Sequence, residues 1–420
     1  MKALAVLAAA ALALAGCSGG AMPVSVGVTP AQEWTATDAL TGKISDVAGL
    51  VALARNFPDS GSVRLRLLNA RLGSDDLAGS FDDLVWLTAR GYRFGDAARE
   101  QLLWMYEGAQ RDALAAAFAN TPPVIVTSRT LATVPAKALL VESVIRDPAN
   151  GRLLVTSVLG KQVFGHAPDG GFRGVSPTGA DNLSGIVRDQ TTGAVWVSSG
   201  NIDQSTDSVP GFAGLIQLTP LGAKAVRMAA PDGASPSDLA IGPDGMLYAS
   251  DPITGAVYRG KRGASDLDTL IPAGNLRSPQ GIAVDPEGQY LHVSDYRYGL
   301  ARYDFQTGAL TRVRVSEGLM IILDGIDGLW RHGSELIAMQ NGTSPMRIAA
   351  FKLLTDGHRI VGHRILEQAN PAWTEPLGGS VDSGELVYVA NGQWDVFGDD
   401  GVVREGKQPK PTEIRVLPLD

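Results

Sequence analysis

The chain has 420 residues, with 36 Lys and Arg against 44 Asp and Glu, and its net charge of −8 is spread without basic blocks. Phosphate recognition needs clustered Lys and Arg, so no nucleic-acid partner is expected. One Cys excludes an internal disulfide, and 50 Gly with 24 Pro indicate a turn-rich body rather than a long helical array.

Residues 1–16 read as a signal peptide, with Lys2 as the positive head, Ala3 to Leu14 as the apolar run and Leu14-Ala15-Gly16-Cys17 as the cleavage site. The run is shorter than the roughly 20 residues that span a bilayer. It resembles a bacterial lipoprotein signal, which implies lipidation of Cys17. An ordinary secretory signal with an incidental Cys is the alternative. In such lipoproteins Ser18, where Asp would retain the protein at the inner membrane, implies the periplasmic face of the outer membrane. Residues 17–36 read as a tether.

Over 37–121 the apolar period is helical, as in Val47, Leu50, Val51 and Ala54. Pro58 with Gly61, Gly73 to Asp76, and Gly91 with Gly95 mark breaks, and a last helix is expected from Asp96 to about Ala119. Short helical hairpins of this kind resemble tetratricopeptide-like units. That implies scaffolding, or a surface for a protein partner.

From residue 122 the period becomes two. SPSDLAIGPDGMLYASD at 235–251 and SPQGIAVDPEGQYLHVSD at 278–295 follow one template: a polar anchor, an apolar strand, an acidic Gly turn, a second strand and a closing Ser-Asp. Six copies fit, anchored at Glu142, Ser184, Ser237, Gln280, Asp327 and Leu377, at intervals of 42 to 53 residues. A third strand follows in most copies. The expected fold is mainly β, a six-bladed β-propeller over 122–420 preceded by a short α-helical hairpin region, with seven blades as the alternative count. The last copy lacks an outer strand, and VIVTSRTL at 124–131 has no unit of its own. Pairing 124–131 with 412–419 would close the ring and protect both edges.

If each first strand begins at the central channel, the anchors converge on one mouth. Glu142, Asp327, the neighbouring Asp238 and Glu375, and the oxygens of Ser237 and Gln280 would then form a hard-cation environment suited to calcium. The same residues could instead cap strand ends. Trp330, Trp373 and Trp394 lie near the fifth and sixth copies, where they could stack on a ring or fill the blades. The five His are scattered, lack zinc-site spacing and are expected at the surface. Residues 394–401 are expected to form a solvated loop.

Val-Glu142-Ser143-Val, the repeated Pro-polar-Gly-apolar anchors and Ile-Asp327-Gly-Leu resemble the gluconolactonase/regucalcin propellers over about 124–420. The resemblance implies a divalent cation, calcium above all, held by Glu142, Ser237, Gln280 and Asp327, with Asp327 also handling a proton. Ser237 and Gln280 stand where that family places Asn. Individual copies also resemble NHL repeats. Two functions are therefore expected as alternatives. One is a lipid-anchored, metal-dependent lactonase or esterase acting on a small molecule in the channel. The other is a non-catalytic propeller that binds a ligand or an envelope protein.

Overall fold

The computed structural model describes residues 32–166, 170–202, 204–205, 210–219 and 226–420. The expected signal, Cys17 and most of the tether lie outside these residues. Among the described residues, no helix is long and apolar enough to cross a membrane.

Five helices form where the period is helical: α1 (Val47–Asn56), α2 (Gly61–Gly73), α3 (Leu77–Ala89), α4 (Asp96–Trp104) and α5 (Gly108–Ala119). Asp46, Ser60 and Asp76 cap α1, α2 and α3 by accepting from the amides of Gly49, Val63 and Gly79. The single helix expected over 96–119 is two, because Gly108 takes a left-handed conformation at φ +51°. The helices divide their apolar faces. Leu68, Leu84, Leu87, Phe94, Leu114 and Phe118 pack on one another. Leu50, Leu53, Phe57, Val63 and Leu67 instead join Ile282, Leu291, Val293 and Tyr298 in one core.

Residues 32–37 correct the tether boundary. Gln32–Glu33 pairs antiparallel with Thr311 and Arg312, Trp34 is buried, and Trp34 Nε1 donates to the Asn275 carbonyl at 2.9 Å. The chain is thus fastened to a sheet before its first helix begins.

Among the described residues, six sheets of four or five strands follow. Their first strands are Val141–Arg146, Asn182–Arg188, Leu239–Ile241, Pro279–Val284, Gly328–His332 and Gly379–Asp382, and each pairs antiparallel with the strand that follows it. Each first strand contacts the first strand of the next sheet, and the last contacts Val141–Arg146, so the circuit returns to its start. Separate meandering sheets in this order are consistent with a β-propeller.

The repeated template has a physical reason. In the third and fourth sheets the closing Asp ties the two ends of the hairpin together. Asp251 accepts from the Ser235 amide at 2.7 Å, and Asp295 from the Arg277 amide at 2.7 Å. The Gly after an anchor is needed for close approach. A Cβ on Gly185 would lie 2.3 Å from the Ser237 carbonyl oxygen, and one on Gly281 would lie 2.4 Å from the Leu329 amide. Neighbouring first strands therefore meet at a distance that only glycine permits.

The outer strand of the sixth sheet is Arg129–Val134, paired antiparallel with Thr412–Pro418, rather than 124–131. The start is displaced because the preceding residues bind the fifth sheet. Ile125 bridges Gln368, and Ser128 Oγ donates to buried Glu367 at 2.8 Å. Arg415 Nε in turn donates to Ser128 Oγ at 2.8 Å, and Tyr388 Oη to Glu367 at 3.0 Å. Early and late parts of the chain are joined here by a buried polar network as well as by a strand pair.

Candidate functional site

Glu142, Ser184, Ser237, Gln280, Asp327 and Leu377, each at or beside the start of a first strand, line one cavity of about 270 Å³. The convergence follows from the repeat, since six equivalent strand starts in a circuit face a common space. Asp238 lines a narrow cavity of about 20 Å³ that Glu142, Ser184, Ser237, Gln280 and Asp327 also line. Glu375, Tyr296, Asn341 and Trp394 complete the polar wall, and Ile202 and Ile253 lie at the rim. No Lys, Arg or His lines the cavity among the described residues.

Four carboxyl groups without a basic partner repel one another. Glu142 is held well above the usual carboxylate range by burial and then by Asp327, Glu375 and Asp238. Trp394 Nε1 opposes this by donating to Glu142 Oε2 at 2.9 Å. Asp327 is pushed up to about 8, first by burial and then by Glu375 and Asp238, while the Asn341 amide pulls it down. Burial raises Asp238 to about 7 despite the amides of Leu239 and Ile282. Glu375 is raised by burial and by Asp395. These side chains are open to the cavity yet enclosed by protein, so water there screens little of the repulsion.

The neutral donors complement the acids. Neither the Ser237 hydroxyl nor the Gln280 side chain has a hydrogen-bond partner among the described residues, and both face the cavity that Glu142 and Asp327 line. No three acidic, His or Cys side chains are grouped closely enough to hold an ion by themselves among the described residues. An ion here would need a mixed set, two carboxylates with hydroxyl and amide oxygens, which is the chemistry calcium accepts. Asn341 is fixed by accepting from Tyr296 Oη at 2.9 Å and donating to the Pro376 carbonyl at 3.1 Å.

Several neighbouring or expected side chains fall elsewhere. Asp324 accepts from the Gly61 and Ser62 amides at 2.7 and 2.8 Å and so holds the start of α2. Trp330 donates to the Gly379 carbonyl at 3.0 Å and lines a different cavity. Trp373 is buried against Tyr388. The solvated loop expected at 394–401 is anchored instead, because Val396 and Phe397 are buried with Leu140 and Val158. His292 is fully buried rather than at the surface, with Nε2 3.0 Å from the Gly357 carbonyl, and burial lowers it to about 4.

Sequence reasoning passed over Tyr296 and Asn341. Both directly follow a second strand, Tyr290–Asp295 or Glu335–Gln340. An antiparallel second strand returns to the end where the first began, so the residue after it faces the same mouth.

No family model matches this chain, and neither does any curated protein. Among solved structures it is similar to a gluconolactonase from Xanthomonas campestris, at 18% identity and a TM-score of 0.47, over 71% of this chain and 95% of that one. A calcium-binding regucalcin from Agrobacterium tumefaciens gives 17% and 0.46, over 70% and 95%. A virginiamycin B lyase from Staphylococcus aureus gives 15% and 0.44, over 67% and 80%.

Proposed function

We propose that the chain is a six-bladed β-propeller, anchored in the cell envelope through lipidated Cys17, that hydrolyses a lactone or other carboxylic ester with the help of a divalent cation. The observation that carries this reading is the convergence of Glu142 and Asp327, without any basic partner, on a cavity that also presents unengaged oxygens of Ser237 and Gln280. Those four residues would hold the cation, calcium by its preference for oxygen donors. When bound, such an ion supplies Lewis acidity to a carbonyl and lowers the pKa of water.

The side chains supply the rest. Trp394 fixes Glu142 through Oε2. Asp327, raised to about 8, can hold or take up a proton near neutral pH, and Asn341 steadies it. Ile202, Ile253 and Leu377 add an apolar part to the lining, which favours a ligand with an apolar portion. A second reading, a propeller that binds a ligand or an envelope protein without catalysis, is favoured by one feature: Ser237 is a weaker donor than the Asn it replaces in the family resemblance.

Thermal unfolding of the full chain with calcium, manganese, zinc or magnesium separates these readings. At a hundredfold excess over Kd, the fitting ion should stabilise the native protein by about 2.7 kcal/mol. Glu142→Gln should lose that gain and, with it, hydrolysis of simple lactones and aryl esters. No shift with any of the four ions would leave the binding propeller as the better account. The anchor is tested separately. Cys17→Ser should move the protein from the membrane to the soluble fraction, since a doubly acylated terminus is what holds it. Unchanged fractionation would discard lipidation.

A further inference from the structure

A cavity of about 330 Å³ lies where the end of α3, the segment 120–125 and the fifth sheet meet, away from the acidic mouth. Arg90, Arg347, Thr88, Asn120, Gln368 and the exposed His363 line it, and no Asp or Glu does among the described residues. Arg347 is only 7% exposed. Its Nε donates to Gln340 at 2.8 Å and its Nη1 reaches the Arg90 carbonyl at 3.5 Å, but it forms no ion pair among the described residues. The Arg90 guanidinium lies 4.0 Å over the Trp86 ring and donates through Nη1 to the Trp86 carbonyl at 3.3 Å. Its Nε is buried without a hydrogen-bond partner among the described residues.

Two acids have fields that reach these arginines. Asp59 pairs with Arg312 at 3.3 Å and also faces Arg90, while Asp324, which accepts from the amides at the start of α2, is the one acid whose field reaches Arg347. Capping the end of α3 accounts for the two carbonyl contacts, yet a helix terminus offsets only about half a charge. Among the described residues, Arg90, Arg312 and Arg347 thus face only Asp59 and Asp324, which leaves one positive charge over beside the open volume. Burying unbalanced charge is costly unless a counter-charge arrives.

We propose that this cavity binds a small organic anion, its carboxylate or phosphoryl group held between Arg90 and Arg347. Guanidinium groups match the planar, multidentate geometry of both anion types. The volume suits a di- or tricarboxylate or a small phosphate ester. Since α3, the 120–125 segment and the fifth sheet all contribute wall, the anion ties the helices to the sheets.

The test is thermal unfolding and titration calorimetry of the cation-free full chain with sodium citrate and sodium phosphate, against sodium chloride at equal ionic strength. One or both anions should raise Tm by about 2 °C or more at saturation. A response to citrate alone identifies a carboxylate ligand, and a response to phosphate alone a phosphoryl one. The shift should persist in Glu142→Gln, which leaves this cavity intact, and vanish in Arg90→Gln and Arg347→Gln. Should Arg347→Gln fail to fold, Arg90→Gln decides. The proposal is overturned if neither anion acts beyond chloride, if Arg90→Gln keeps the full shift, or if Glu142→Gln abolishes it.

Discussion

In cation-free buffer the protein should lose thermal stability as pH rises from about 4 to about 8, and Asp327→Asn should remove much of that loss. Asp327 and Asp238 stand near 8 and 7 in the folded chain, both raised by burial and Asp327 also by repulsion from Glu375 and Asp238. In the unfolded chain both revert to the ordinary range near 4. The folded state therefore holds protons that the unfolded state has released. Their contribution is complete below about 4 and fades as pH climbs through the folded values. A bound cation replaces those protons, so saturating calcium should flatten the same slope in the native protein. Tm measured at half-unit pH steps gives the answer. Identical slopes for the native chain and Asp327→Asn would mean that the carboxyl groups do not share one field, and the site as drawn would be wrong.

Phe57→Ala should cost about 3–5 kcal/mol in urea unfolding, the range for emptying a large buried aromatic site. Phe57 is 1% exposed, with ring centroids 5.0 Å from Trp34 and 4.9 Å from Tyr298. Those contacts join α1, the segment before it and the fourth sheet in one core, so the loss should appear in a single cooperative transition. A cost below about 1 kcal/mol, or an early separate transition for the helices, would show that they do not share that core.

Much of this site could be read from the order of residues because the repeat is physical at every position. The polar anchor opens the strand, the glycine allows its neighbour to approach, and the closing Asp binds the hairpin's own amides. Glu142, Ser237, Gln280 and Asp327 could thus be placed at one mouth, and the structure lines a single cavity with them. Trp394 was legible as an aromatic near the mouth but not as the donor to Glu142. That contact depends on Val396 and Phe397 packing beside the first sheet, which no local pattern announces. His292 misled for a related reason. Alternation along Tyr290–Asp295 suggests a solvent face, but between adjacent sheets both faces of a strand are covered, and Leu291, His292 and Val293 are all buried. The helix break at Gly108 needed a backbone angle, not a composition.

The bond from Trp394 to Glu142 spans 252 residues of sequence. A ribosome adding on the order of 10 residues per second releases Glu142 tens of seconds before Trp394. During that interval a nascent chain carries Glu142, Asp238 and later Asp327 without the indole that steadies the first or the Glu375 that crowds them. The mouth is therefore finished only when the sixth sheet is. A truncated translation product would keep most of the acidic residues and none of the assembled pocket.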